Sequence, residues 1–428
     1  MMFMYNVLLT LLLAAGLPAW CLLAFRKKYR FGILHKLCLA PPRFTPKGSV
    51  VMVHGVSVGE INAARPFIEV LHRRDPHCEI LVTASTQTGY SRARASIRDC
   101  RIDYFPLDFF WTVRRFLDRY RPKRIFILET ELWPNFTAEA ARRGIPVYLV
   151  NARISDRSYP RYRRIRFFLQ TVFPHFRFFF SQSEIDASRL HALGVPRTKL
   201  LVTGSMKFDA AVANARGGKN RPAPIHFPSD DQARVFLAGS TRERENRMCL
   251  DIFLYLKKQF PGLRFILAPR KPDTLKPTAA FLRRMNIPFT LRSLQESDTV
   301  STDILLIDTL GELFSFYSLA DVIFIGKSLV RPGGGQNPLE PAVLGKPVLM
   351  GPAYENFRDI VDSMQSARAI RIVSDPDALR SALIEWLKHP ELAAATGRNA
   401  REFVYGRPST AQTVLERVAL LEPDARVA

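Results

Sequence analysis

Ser49-Val50-Val51-Met52-Val53-His54-Gly55-Val56-Ser57-Val58-Gly59-Glu60 carries the reading that decides the fold. Its first five residues form an almost unbroken apolar run, the mark of a strand buried on both faces, as in a parallel sheet. From 61 to 73 apolar residues recur at helical spacing. A strand that passes into a helix through Gly55, Ser57 and Gly59 makes a turn where backbone can approach a ligand and direct amides at it. Glu60 falls in the first turn of that helix, where the macrodipole keeps a carboxylate ionised. Such a group either complements the dipole and does nothing more, or accepts a proton from an alcohol with help from its neighbours. The stretch alone leaves both readings open.

Working outward, short β-branched or aromatic runs alternate with amphipathic ones. Strand-like runs lie at 80–83, 124–128, 146–150, 177–180 and 200–203, with helical patterns at 112–120 and 135–143 between them. This is the pattern of βαβ units and a parallel sheet. Near Ala210 it breaks: 214–231 is rich in Gly, Pro, Asn and charge and reads as a linker. Alternation resumes at 235–238, 265–267, 304–307, 322–325 and 347–349, which gives a second α/β domain. The expected division is 1–30 as membrane anchor and basic flank, 31–212 and 233–428 as Rossmann-like domains, and 213–232 as linker. The last helix, 410–421, is left able to pack on either domain. The cleft between two such domains is the default ligand site.

At 428 residues, 47% hydrophobic and 24% charged, the chain is globular and long enough for two domains. A net charge of +23 calls for an anionic partner: nucleic acid, a membrane surface or a phosphorylated substrate. The first 25 residues decide among these, being almost wholly apolar and followed at once by Arg26-Lys27-Lys28-Tyr29-Arg30. Such a segment is long enough to span a bilayer, and the basic cluster then holds the body on the cytoplasmic side. Insertion into one leaflet is the other form open, given Pro18. The five cysteines, Cys21, Cys38, Cys78, Cys100 and Cys249, form no framework and suit a reducing compartment.

Chemistry-bearing residues gather where strands end. Glu129-Thr130-Glu131-Leu132-Trp133-Pro134-Asn135 places two carboxylates at a strand end, with helix capping as the alternative. After Asn151-Ala152-Arg153, the arginines 157, 161, 163, 164 and 166 interleave with Tyr159, Tyr162, Phe167 and Phe168. Beside an apolar N-terminus, Arg161, Arg163 and Arg164 suit an anionic lipid surface better than nucleic-acid bases. Lys207, in Gly204-Ser205-Met206-Lys207-Phe208-Asp209, is placed to meet a phosphate. In the second half Arg270 follows a strand, and Arg331-Pro332-Gly333-Gly334-Gly335-Gln336-Asn337-Pro338-Leu339-Glu340 offers loop amides and a helix start as an anion site. Glu340 there can accept from ribose hydroxyls, and Asp308-Thr309-Leu310-Gly311-Glu312 opens a neighbouring helix. Gly326-Lys327-Ser328 resembles the tail of a P-loop, but Asp321 stands where the first glycine belongs. Asp375-Pro376-Asp377 reads as a cap, and the eight histidines have no metal-ligand spacing, so the expected site is free of metal and cofactor.

In order and spacing these motifs resemble one family, the lipid A 3-deoxy-D-manno-octulosonic acid (Kdo) transferases of Gram-negative-type bacteria. The resemblance rests on His54-x-x-Ser57-Val58-Gly59-Glu60, Glu129 to Asn135, Asn151-Ala152-Arg153, Gly204-Ser205-x-Lys207-Phe208-Asp209, Pro269-Arg270, Gly311-Glu312 and Asn337-Pro338-Leu339-Glu340. It implies an α/β GT-B fold, with two Rossmann-like domains facing across a cleft, and an inverting glycosyltransferase at the inner membrane. The implied donor is CMP-Kdo and the implied acceptor a phosphorylated lipid A precursor. By the same resemblance Glu60 is the general base, and Glu129 and Lys207 stabilise the transition state; Ser57 and Arg153 are expected, with Arg161, Arg163 and Arg164, on the acceptor or membrane side. CMP falls to Pro269, Arg270, Leu310, Gly311, Glu312, Asn337, Pro338, Leu339 and Glu340. Two departures stand out: Arg242-Glu243-Arg244-Glu245 where the family commonly carries His-Glu-Gly-Glu, and Gln336 in place of a histidine. A UDP-sugar 2-epimerase shares the architecture but needs no bilayer segment. A non-catalytic lipid-binding surface protein needs no carboxylates at strand ends.

Overall fold

The computed structural model describes residues 2–25, 27–39, 44–46, 48–217, 225, 227, 233–295 and 298–422. They form two compact units, Met1–Ala210 with Pro408–Ala428, and Ala211–Arg407. The first is built on β1 (Val50–His54), β2 (Glu79–Ala84), β3 (Arg101–Tyr104), β4 (Arg124–Leu128), β5 (Val147–Ala152), β6 (Phe178–Ser181) and β7 (Leu200–Val202). All pair in parallel, in the order β3-β2-β1-β4-β5-β6-β7. Alternate residues of β1 enter two separate cores, Val51 and Val53 one and Val50 and Met52 the other. A strand buried on both faces has no need to alternate apolar with polar, which is why it reads as a continuous run.

The second unit holds β8 (Arg234–Thr241), β9 (Leu263–Pro269), β10 (Thr290–Leu291), β11 (Ile304–Leu306), β12 (Val322–Ile325), β13 (Val348–Met350) and β14 (Arg371–Ile372). This sheet too is parallel, in the order β10-β11-β9-β8-β12-β13-β14. In the first sheet the chain winds outward from β1 to β3 and then crosses to the other side of β1; in the second it passes from β8 and β9 to the edge strand β10, comes back to β11 between β10 and β9, and then crosses to the other side of β8. The reversal falls between β1 and β4 in the first unit and between β8 and β12 in the second, the points where open α/β sheets bind ligands.

One boundary differs from the sequence reading. The helix Met206–Arg216 runs on through the start of the expected linker, since Ala210, Ala211, Ala213 and Ala215 favour helix as strongly as any residue. The linker positions 218–224, 226 and 228–232 lie outside the described residues, as does Arg26 of the basic flank. The final helix, Thr410–Leu421, packs on the helix Val58–Arg74 and sends Ala411, Val414, Leu415 and Val418 into a core of the first unit. Buried Asp209 fixes its start, accepting from Ser409 Oγ at 2.5 Å and Thr410 N at 3.1 Å.

At the N-terminus stands a helix, Met2–Phe25. Among the described residues no helix is long and apolar enough to cross a membrane, so the spanning form of the anchor finds no support there. Met2, Tyr5, Asn6, Leu9 and Leu13 are partly covered, while Phe3, Met4, Leu11 and Leu12 are 79, 72, 62 and 61% exposed. These positions are the two opposite stripes of one helix.

Candidate active site

Glu60 sits at the β1–β4 reversal. Ser57 caps the helix Val58–Arg74, accepting from Glu60 N, and donates its hydroxyl to Glu60 Oε1 at 2.8 Å. Val56 N donates to Glu60 Oε2 at 2.6 Å. The turn's amide is thus aimed at the protein's own carboxylate. Gly55 serves the same contact, because a Cβ there would come within 3.1 Å of Glu60 Cβ. Glu60 therefore bonds within the helix start, but the electrostatics go beyond merely complementing the dipole. Burial and then the charge of Glu129 raise the Glu60 pKa against the hydrogen bonds from Val56 and Ser57. The helix dipole does not hold it low, as the sequence reading expected, because a buried carboxylate facing another is costlier than the dipole can offset.

Glu129 leaves β4 in a left-handed conformation (φ 59°), its amide bonded to Val150 O at 2.9 Å. Glu131 follows, its carboxyl pushed up to about 7 by burial, then by Glu60 and Glu129. Three carboxyl groups therefore share one electrostatic neighbourhood. Beneath them His54 is fully buried and neutral, its pKa pushed down to about 3 by burial. Its Nδ1 lies 3.0 Å from Thr83 Oγ1, and its ring stacks on Phe105 at 3.9 Å. Trp133 Nε1 and Asn151 Nδ2 are buried donors with no partner among the described residues.

The structure gathers Ser57, Glu60, Glu129 and Glu131, and ties Arg153 to them through Thr130, whose hydroxyl donates to Arg153 O. Lys207 stands apart in the sheet order. It follows β7, three strands and roughly 14 Å from β4, although Asn151 Oδ1 accepts from Met206 N at 3.0 Å and draws that helix start toward the end of β5. A lysine at the second residue of the helix Met206–Arg216 opposes the dipole, so its placement is not explained by helix stability. Arg161, Arg163 and Arg164 are exposed on the short helix Tyr159–Arg164, away from any buried partner.

In the second unit a cavity of about 1000 Å³ opens where β8, β9 and β12 end. Arg242, Arg244, Arg247, Arg270, Lys271, Lys327 and Arg331 line it against a single acid, Glu243, with Gln336 at its wall. So strong an excess of positive charge suits a ligand carrying more than one anionic group. Of the residues expected at the nucleotide, Arg270 is in this lining. Pro269, Leu310, Gly311, Glu312 and Asn337 to Glu340 are not, though all lie at carboxyl ends of the same sheet. Arg292 Nη2 donates to Glu312 at 3.1 Å.

The glycine loop departs from expectation. Gly334 N and Gly335 N donate to Ala353 O and Lys327 O at 3.2 and 2.9 Å, so these amides are spent within the fold. The helix that follows, Leu339–Val343, is a single short turn, with Asn337 Oδ1 accepting from Leu339 N at 3.1 Å. The P-loop likeness at 326–328 has a physical counterpart nonetheless. The amides of Lys327, Ser328 and Leu329 converge at 2.6, 2.9 and 3.0 Å on the carboxylate of Glu245, which also accepts from Arg242 N. An anion nest exists at the β8–β12 reversal, and a buried glutamate of the chain fills it. Sequence reading missed Arg247 and Lys271 and treated Arg242, Arg244 and Lys327 as anomalies. Their common signal was position after consecutive strands. Asp375 is the cap it was expected to be, accepting from Ala378 N at 2.8 Å.

Two parallel α/β units, each bearing its polar residues where the winding reverses, have the architecture of the GT-B type. The UDP-GlcNAc 2-epimerase of Neisseria meningitidis shares this fold at a TM-score of 0.60 and 17% identity, covering 86% of this chain and 99% of that one. Residues 26–210 match the family model for 3-deoxy-D-manno-octulosonic-acid transferase (kdotransferase). The 3-deoxy-D-manno-octulosonic acid transferase of Haemophilus influenzae is 32% identical over 92% of this chain and 90% of its own length. That of Bordetella pertussis is 31% identical over 95% and 97%. The chain belongs to the Kdo transferase family and is a glycosyltransferase.

The acidic cluster makes stability depend on pH in a set direction. Between about pH 4.5 and about 7 the unfolded chain gives up the Glu131 proton that the folded protein keeps, so rising pH favours unfolding. Glu131→Gln removes that penalty. It is expected to melt about 2–4 °C above the parent at pH 8, worth ~1 kcal/mol for a unit of this size, and at the parent's temperature at pH 4.5. Thermal melts across this pH range check it.

Proposed function

We propose that the protein transfers Kdo from CMP-Kdo to a hydroxyl of a phosphorylated lipid A precursor, with Glu60 as general base. One observation carries the assignment: Glu60 is a buried carboxylate of raised pKa, oriented by Ser57 and Val56 at the reversal point of the first sheet, beside Glu129. A base works best with a pKa near the working pH, and burial beside a second carboxylate moves it that way. Glu60 takes the proton as the acceptor oxygen attacks the anomeric carbon and CMP departs with the bonding electrons. Glu129 favours the oxocarbenium-like sugar. Lys207, on the first unit, supplies positive charge for the departing anion, and Arg270 with the other cations of the second unit suits the donor's phosphate and carboxylate, with no metal needed. A single displacement from the face opposite CMP inverts the centre. Ser57 and Arg153 serve the acceptor side.

The same reading places the protein at the inner membrane, on its cytoplasmic face. The exposed stripe of Phe3, Met4, Leu8, Leu11 and Leu12 is suited to lie in the headgroup boundary. Exposed Phe110 and Trp111, with Arg114 and Arg115 over their rings, extend the apolar and basic surface on the same unit, as do Phe167, Arg161, Arg163 and Arg164. This composition fits anionic lipid and leaves no role for nucleic acid.

Glu60→Gln is expected to lower Kdo transfer at least ~10³-fold, while CMP still raises the melting temperature as in the parent. EDTA should leave parental turnover unchanged. Near-normal turnover in the variant would remove Glu60 as base, and a strict Mg²⁺ requirement would remove the metal-free mechanism. In flotation assays the full chain is expected to rise with vesicles containing phosphatidylglycerol and less with purely zwitterionic ones; equal recovery from both would count against the anionic surface.

A further inference from the structure

The N-terminal helix is apolar from Met2 to Gly16 except at Tyr5, Asn6 and Thr10, and Thr10 bonds only back to Asn6 O, at 2.8 Å. Tyr5 and Asn6 point inward, Tyr5 to Asp108 in the loop after β3 and Asn6 to Asn135, just beyond the segment that carries Glu129 and Glu131. Tyr5 Oη donates to Asp108 Oδ2 at 2.9 Å. Asn6 and Asn135 exchange a reciprocal amide pair, Asn135 Nδ2 to Asn6 Oδ1 at 2.7 Å and Asn6 Nδ2 to Asn135 Oδ1 at 3.1 Å. Asp108, 5% exposed, in turn accepts from Asn135 N at 2.9 Å and Phe136 N at 2.8 Å, and so caps the helix Pro134–Arg142.

Residues 129–133 are thus suspended between two anchors. One is the sheet and its β5 end, through Glu129 N with Val150 O and Thr130 with the Arg153 backbone. The other is the Asp108–Asn135 cap, which the N-terminal helix completes. The span needs holding for two reasons. Glu129 and Trp133 both have positive φ, at 59° and 33°, each costing roughly 1–2 kcal/mol for a residue with a side chain. In addition Glu129 and Glu131 are crowded by Glu60, so mutual repulsion works to open the segment. Polar side chains in an otherwise apolar helix are costly to bury without partners, and here Tyr5 meets Asp108 while Asn6 meets Asn135 and its own helix's Met2 O.

We propose that Tyr5 and Asn6 are positioning residues for the acidic segment, so that seating of the N-terminal helix on the first unit sets the geometry of Glu129 and Glu131. The helix is then part of the site's support as well as a tether, and a protein whose helix is drawn away keeps its donor site but loses turnover. The proposal rests on the Kdo-transfer reading for its rate consequence alone. The docking itself is independent of that reading.

The test uses the full chain in detergent, comparing the parent with Tyr5→Phe, which keeps the ring packed against Phe168 at 5.6 Å, and with Asn6→Leu. Two quantities are read: amide hydrogen exchange of peptides covering 129–137, and kcat and KM for CMP-Kdo with a lipid A precursor as acceptor. Faster exchange confined to 129–137, with kcat down about 10-fold or more and the donor KM unchanged, is the expected result. Unchanged exchange at 129–137, or parental kcat in both variants, overturns the proposal, as does a loss spread over the whole first unit or a rise in donor KM alone. If the parent itself transfers no Kdo, the functional reading fails, and exchange at 129–137 still decides whether Tyr5 and Asn6 hold the segment.

Discussion

The Glu60 carboxylate is held between opposing influences, and the first unit is arranged around that balance. Val56 N and Ser57 Oγ bind its two oxygens and favour the charged form, while burial and the nearby Glu129 favour the neutral one. The second pair prevails, and the pKa rises. This depends on β1 and β4 being neighbours, since only adjacent parallel strands deliver their carboxyl ends to one place. It depends equally on the unbroken apolar run of β1, because two cores on either face of the sheet fix where the strand must end.

Each sheet reverses its winding beside its first strand, and the two put opposite chemistry at that place. At the β1–β4 reversal stand carboxyl groups; at the β8–β12 reversal stands a cavity ringed by arginine and lysine. In the second unit the backbone nest that a phosphate would otherwise enter is closed by Glu245, and the loop amides of Gly334 and Gly335 are used by Ala353 and Lys327. Anion recognition there therefore falls to side chains. Guanidinium groups suit that task, because their planar donors match both phosphate and carboxylate. Arg242 and Arg244, which depart from the pattern common in the Kdo transferases, add to this capacity at the cavity wall.

Eleven of the fourteen strands were legible as short apolar runs, and the three that were not, β3, β10 and β14, all lie at sheet edges. Edge strands are covered on fewer sides: Arg101-Ile102-Asp103-Tyr104, Thr290-Leu291 and Arg371-Ile372 are short and partly exposed, so nothing forces an apolar run. Glu129 and Arg270 stand out in the sequence because they follow central strands directly, and Glu60 because it opens the helix after one. The contacts of Asp108 with Tyr5 and with Asn135 could not, since they join residues more than 100 positions apart in one case and 27 in the other, and no local pattern encodes such pairing. Glu245 was visible as a residue but not as the occupant of an anion nest, because that role is set by where the β12 loop returns.

The claim on which the mechanism depends is that Glu60 is the base and that Glu129 raises its pKa. The pH dependence of Kdo transfer by the parent and by Glu129→Gln tests it most directly. The account predicts an acid limb above about pH 4.5 in the parent, moving to lower pH in the variant even as the maximal rate falls, because the neighbouring charge is gone. An acid limb at the same pH in both proteins would contradict it.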